Sequence, residues 1–77
     1  MSKLLKEKRQ AAGLSQSMLA EKAGMSLRTL QHYEQGAKDF DHARIDTILR
    51  VCLVLDCRLE DILENPEYVK LAKKVTS

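Results

Sequence analysis

The chain has 77 residues and carries 13 Lys/Arg against 11 Asp/Glu, a formal net charge of +2. That length suits one small domain with a modest core, only marginally stable alone, so dimerisation is a reasonable expectation. No apolar run approaches the roughly 20 residues needed to span a bilayer, and the opening Met-Ser-Lys-Leu-Leu-Lys-Glu-Lys-Arg lacks the apolar core of a signal peptide; a cytoplasmic protein without a membrane partner is expected.

Taken in chain order, a first helix is expected from Ser2 or Lys3 to Ala12. Leu4, Leu5, the stem of Lys8, Ala11 and Ala12 supply its inward side. Gly13 ends it and Leu14 anchors the turn. A second helix follows Ser15, whose side chain can cap free backbone N–H groups. Leu19, Ala20 and Ala23 form its inward face. Gly24 stands where the helix must stop, because glycine enters the left-handed conformation without a Cβ clash. Met25 is an apolar plug and Ser26 can cap a third helix. There Leu30 and Tyr33 point one way, while Leu27, Arg28, Gln31, His32 and Gln35 lie on the remaining surface. Two short helices, a tight glycine corner and a polar outer face have the spacing of a helix-turn-helix over residues 15–36.

On these residues, positions 3–63 resemble the Cro/repressor-type (Xre-type) helix-turn-helix family. The matching pattern is Gln16, Leu19-Ala20, Ala23-Gly24-Met25-Ser26, Leu30 and Glu34-Gln35-Gly36. The resemblance implies an all-α, five-helix, lambda-repressor-like domain that binds double-stranded DNA. It places Leu27, Arg28 and His32 at base-reading positions, with Gln31 beside them. Arg28 is suited to a bidentate contact with guanine O6 and N7, and Leu27 to a thymine methyl. Leu27 is equally open to a protein contact, and His32 to an ordinary surface role. Ser15, Gln16, Ser17, Thr29, Gln35 and Lys38 are candidates for the phosphate backbone, where contacts set register without reading sequence. Gln16 can also brace the recognition helix. In the family an arginine at the position of Arg9 pairs with the glutamate matching Glu34, and members usually bind palindromic half-sites as two-fold dimers.

The charge distribution agrees in sign with a phosphate-binding face. Residues 1–38 hold seven Lys/Arg and three Glu, giving +4, whereas residues 39–77 hold six basic and eight acidic side chains, giving −2. The excess is mild, so charge alone should bind DNA weakly and in a salt-sensitive way.

Beyond Gly36 the chain departs from the basic loop common in the family, since only Lys38 remains, between the motif and Asp39 and Asp41. His42 and Arg44 follow and could help hold phosphate. Asp41 is expected to cap a fourth helix beginning around residues 42–44, and Phe40 to plug the core. That helix runs to about Leu55. Ile45, Ile48, Val51, Cys52 and Leu55 fall on the family's core stripe, while Leu49, Leu53 and Val54 make it apolar around more of its circumference than one core needs. Asp56 replaces the usual glycine after it, and Arg58 is a weak cap for helix five, whose Leu59, Ile62 and Leu63 face inward.

Asn65-Pro66-Glu67 reads as the start of a sixth helix, with a capping Asn and Pro at the first helical position. Residues 65–77 thus form a helical extension to a DNA-binding domain of residues 1–64. Tyr68, Leu71, Ala72 and Val75 recur at helical spacing. The extension either folds back on the spare stripe of helix four, pairs with a second protomer, or frays. Leu49, Leu53, Tyr68, Leu71 and Val75 are the candidate dimer residues.

Cys52 and Cys57 lie among apolar neighbours and read as reduced, buried thiols, a redox switch being the alternative. Two cysteines and two distant histidines do not make a zinc site. There is no nucleophile, base and orienting acid at recognisable spacing and no glycine-rich phosphate loop, so no enzyme, cofactor, metal or small-molecule ligand is expected. The leading expectation is a small sequence-specific regulator, most simply a repressor. The alternative is a protein-interaction module of the same fold, antitoxin-like or a phage accessory protein.

Overall fold

In the computed structural model, which describes residues 3–76, helix α1 spans Lys3–Ala11, α2 Gln16–Ala23 and α3 Leu27–Gln35. A one-turn 3-10 helix (Phe40–His42) leads to α4 (Ile45–Leu55), the short α5 (Leu59–Ile62) and α6 (Pro66–Thr76). The architecture is all-helical, as expected. Ser2, the earlier of the two expected starts of helix one, lies outside the described residues.

Helix α1 buries Leu5 and Arg9, one turn apart, with Leu4 and Lys8 half-buried beside them. Ala11 and Ala12, expected inward, are exposed. Gly13 (φ 73°) reverses the chain there, and Leu14, whose N–H returns to the Arg9 carbonyl at 3.2 Å, takes the next inward position.

The corner between α2 and α3 follows from its sequence. Ser15 accepts from the Met18 N–H at 3.1 Å and Ser26 from the Thr29 N–H at 3.1 Å, so each helix begins on a hydroxyl cap. Gly24 (φ 71°) ends α2, and the Met25 N–H reaches back to the Ala20 carbonyl at 2.9 Å. That pairing satisfies helix-end carbonyls while the chain turns sharply. Leu19, Ala20, Ala23 and Leu30 are buried on the inner sides of the two helices, and half-buried Met25 plugs the corner.

The connection to α4 corrects two expectations. Phe40 is the core plug (1% exposed) and meets Tyr33 edge-on, with ring centroids 5.4 Å apart. But Asp41 does not cap α4. That helix starts at Ile45 after Arg44, which makes no side-chain cap, and Asp39 caps the preceding 3-10 helix through the Asp41 N–H at 3.0 Å. Asp41 instead accepts from the backbone N–H groups of Glu64 (3.1 Å) and Asn65 (2.6 Å), tying the loop to the start of α6. The second correction is Ile45. It sits in the first turn of α4, before that helix has entered the core, and is 64% exposed. Ile48, Val51, Cys52 and Leu55 are buried as the stripe requires, and Val54, placed outside it, is half-buried against the core.

Asp56 closes α4 at φ 50°, the left-handed position for which glycine would be the relaxed choice. Arg58 offers α5 no acceptor, and its own N–H donates to the Asp61 carboxylate at 3.1 Å. Ile62 and Leu63 are buried and Leu59 is half-buried. Helix α6 begins as its sequence indicates, with Asn65 accepting from the Glu67 N–H at 2.9 Å and Pro66 at the first helical position. It packs chiefly on α5 and buries Ala72. The radius of gyration, 11.5 Å, is that of a compact chain of this length, so α6 is no trailing tail. Neither does it cover the spare stripe of α4. Leu49 (51%) and Leu53 (82%) stay exposed, and between α4 and α6 lies an apolar groove of about 340 Å³. No helix of the described residues is long and apolar enough to cross a membrane.

Candidate nucleic-acid interface

One face of α3 carries every base-reading candidate. A helix turns about 100° per residue, so Leu27, Arg28, Gln31, His32 and Gln35 share one side, opposite buried Leu30 and half-buried Tyr33. Leu27 is 40% exposed and Arg28 is exposed, both in the first turn of the helix. Gln31 and His32 are half-buried. Ser17, Gln35 and Lys38 are exposed around the same motif. Ser15 is exposed as well, but its hydroxyl oxygen serves as the cap of α2. Thr29 is half-buried, and its hydroxyl accepts from Ser26 at 2.8 Å.

Behind this face lies a buried polar chain. The Arg9 guanidinium grips Glu34 as a two-pronged fork, Nε to Oε2 at 2.7 Å and Nη2 to Oε1 at 3.0 Å, with side chains 9% and 3% exposed. Its remaining Nη1 donates to the Leu14 carbonyl at 2.8 Å. Arginine suits this site because its planar donors match a carboxylate and leave one for a carbonyl. Gln16 extends the chain: its Nε2 donates to Glu34 Oε1 at 3.0 Å and its Oε1 accepts from Gln31 Nε2 at 3.4 Å. Helix one, the start of α2 and the middle and C-terminal end of the recognition helix are thereby joined. Among the described residues no buried side-chain polar atom lacks a partner, which is what such a chain needs to be stabilising rather than costly.

Sequence reasoning paired Arg9 with Glu34 but missed the Leu14 carbonyl and the Gln16–Gln31 link. Residue spacing could not supply these, since they depend on how α2 and α3 cross. It also missed Arg50, whose Nη1 would stand 3.4 Å from a Cβ placed on Gly24. This arginine of α4 thus lies against the helix-turn-helix corner.

The acidic residues after Gly36 are engaged within the fold. Asp39 accepts from its own loop and pairs with His42 Nδ1 at 2.7 Å; the His42 hydrogen bond holds its carboxyl below the usual range. His42 Nε2 meets the Tyr68 hydroxyl at 2.8 Å, and Arg44 pairs with Asp46 at 3.2 Å. His42 and Arg44, expected as auxiliary phosphate ligands, are therefore engaged in holding the loop and α4. Lys38 is exposed at the end of the motif, its N–H bonded to the His32 carbonyl at 3.1 Å.

Both cysteines are free, Cys52 buried and Cys57 partly so. Burial pushes the Cys52 thiol up to about 12 and raises Cys57 as well. A redox-active thiol needs the opposite shift and exposure, so the geometry supports the inert assignment. Among the described residues no group of three or more His, Cys, Asp or Glu could hold a metal.

The fold and the polar face on its third helix are those of a helix-turn-helix regulatory domain of the DNA-binding kind. A family model described as helix-turn-helix matches residues 5–62, most of the chain, and the protein belongs to that Cro/repressor-type (Xre-type) family. No curated protein and no solved structure gave a match.

Proposed function

We propose that the protein is a sequence-specific transcriptional regulator, acting as a repressor, which binds a palindromic operator as a dimer through the major groove. The observation that carries this is the braced recognition helix. A buried fork and two glutamines fix α3, while Arg28 and Leu27 stand exposed in its first turn. In this docking mode the N-terminal residues of the recognition helix meet base edges. Arg28 reads guanine, Leu27 a thymine methyl, and His32 and Gln31 flank them. Ser17, Gln35 and Lys38, with Ser15, Gln16 and Thr29 behind them, face the backbone. Gln16 is held on two sides, so its main part is to brace α3.

Selection of bound sequences from a random DNA pool, followed by a gel shift on the selected site, tests the proposal. A palindromic preference, with affinity for the site lowered by roughly 1 to 3 kcal/mol per half-site in Arg28→Ala, is the expected outcome. Recovery of no enriched sequence at moderate salt would overturn it.

A second reading, a protein-interaction module, draws on Leu27 and Met18 (44% exposed), two apolar side chains open on the motif. It predicts a stable protein partner that is lost on Leu27→Asp and kept in Arg28→Ala.

A further inference from the structure

Three side chains that are distant in the sequence meet beside α6. Asp39 caps the 3-10 helix, His42 ends it, and Tyr68 lies in the first turn of α6. His42 Nδ1 stands 2.7 Å from Asp39 Oδ2, and His42 Nε2 stands 2.8 Å from the Tyr68 hydroxyl. An ionised carboxylate can only accept hydrogen bonds, and the bond to His42 holds the Asp39 carboxyl below its usual range. In the neutral imidazole the proton therefore sits on Nδ1, and the Nε2 lone pair faces the Tyr68 O–H. A nucleophile, a base and an orienting acid, which showed no recognisable spacing in the sequence, are thus assembled by the fold. Such a triad is defined by geometry and roles, not by order along the chain.

We propose that Tyr68 is a nucleophilic acceptor for activated acyl groups, with His42 as its general base and Asp39 as the residue that positions the imidazole. Tyr68 Oη bonds to the acyl carbon of an activated ester or thioester while His42 Nε2 takes the phenol proton. The bond from that carbon to the leaving oxygen or sulfur breaks, the leaving group departs with the electron pair, and the imidazolium returns its proton to solvent. The product is a tyrosyl ester, and nothing is oxidised or reduced. The surroundings favour an acyl donor over a phosphoryl donor. The Asp39 carboxylate repels phosphate oxygens, and Arg44, the basic residue that follows in the loop, is paired with Asp46. On its other side Tyr68 lines the apolar groove of about 340 Å³, with Ile45, Leu63, Leu71 and Val75 among its walls. Those walls suit the aliphatic part of an acyl donor. The side chains of His42 and Asp39 are 60% and 61% exposed, so a reagent can reach the base. Acylation removes the hydroxyl proton that Tyr68 donates to His42, and with it this tie between the loop and α6. None of these steps depends on DNA binding.

Tyr33 provides an internal comparison. It is half-buried like Tyr68, but its ring packs edge-on against Phe40, and among the described residues no imidazole is hydrogen-bonded to it. The full chain is treated with p-nitrophenyl butyrate, and the rate of butyrylation at each tyrosine is read by peptide mass mapping. In folded wild type Tyr68 should be esterified at least tenfold faster than Tyr33, and in urea the two should react alike. His42→Gln, which keeps a hydrogen-bonding side chain but no base, should slow Tyr68 by about 10²-fold, the low end of general-base catalysis, because the site is open to solvent. Asp39→Asn should also slow it, and nitrogen chemical shifts of neutral His42 should place the proton on Nδ1 in wild type. Circular dichroism establishes that both variants keep the helical fold, and the comparison of the two tyrosines needs no variant. Equal labelling of Tyr68 and Tyr33, a preference that survives in urea, a rate untouched by His42→Gln, or a neutral imidazole protonated on Nε2 would overturn the proposal.

Discussion

Arg9 shows most clearly what one residue does here. Its guanidinium satisfies a buried carboxylate and a carbonyl together, so Arg9→Ala leaves Glu34 charged, almost fully buried and supported only by Gln16. Breaking such a pair typically costs about 3–5 kcal/mol, a large part of the stability of so small a domain. Urea denaturation of Arg9→Ala should show that loss as a lower midpoint. The double variant Arg9→Met/Glu34→Leu should lose distinctly less, because it removes the stranded charge along with its partner. Cys52 predicts the alkaline limit. Its folded thiol keeps its proton to about 12 because it is buried, whereas the unfolded thiol releases it near 9. A raised folded pKa means a contribution that is whole below 9 and lost as pH climbs from 9 towards 12. The wild-type melting temperature should decline through that window, and less so in Cys52→Ala, although that variant starts lower for want of packing.

Among the elements, the loop after α3 and the start of α6 behave as one unit. Asp41 holds the Glu64 and Asn65 N–H groups, and His42 bridges Asp39 to Tyr68. Amide hydrogen exchange on Asp41→Ala should show α6 opening more readily, by about 1–3 kcal/mol of lost local protection for buried N–H groups left unpaired, while α2 and α3 stay protected. Removing His42 should let the Asp39 carboxyl titrate higher, back in the ordinary carboxylate range, since their hydrogen bond is the main cause of its depression. Carboxyl carbon shifts followed against pH would report it; an unmoved titration in His42→Ala would show the bond is not made in solution. Neither tie was legible in the sequence. Aspartate before an apolar helix reads as a cap, and only the crossing of the loop with the α5–α6 junction offers Asp41 a better set of donors.

For the molecule as a whole, the decisive quantity is how little positive charge the motif face carries. Arg9 is spent on Glu34, and Lys38 is the sole charged residue among the backbone candidates. Each neutralised phosphate adds about 0.9 to the slope of log affinity against log salt. Under the proposed two-copy binding the slope should therefore be shallow, roughly −2 if Lys38 of each copy neutralises one phosphate. Lys38→Ala should flatten it by about one per copy. A slope near −8 by titration would mean that basic residues outside the motif, such as those of α1, carry the grip.

The sequence by itself determined the helices, the caps of α2, α3 and α6 and the glycine corner. These depend on neighbours within a few residues: a hydroxyl before a helix, a glycine that tolerates positive φ, apolar side chains one turn apart. It also determined the family, because Leu19, Ala20, Gly24 and Leu30 occupy fixed offsets within one short motif. Only the tertiary structure decided what depends on the packing of distant segments. It turned Asp41 to α6 rather than α4, left Ile45 in solvent and placed Arg50 against the corner. It also kept α6 off the spare stripe of α4, opening an apolar groove where the periodicity alone showed two faces in need of cover.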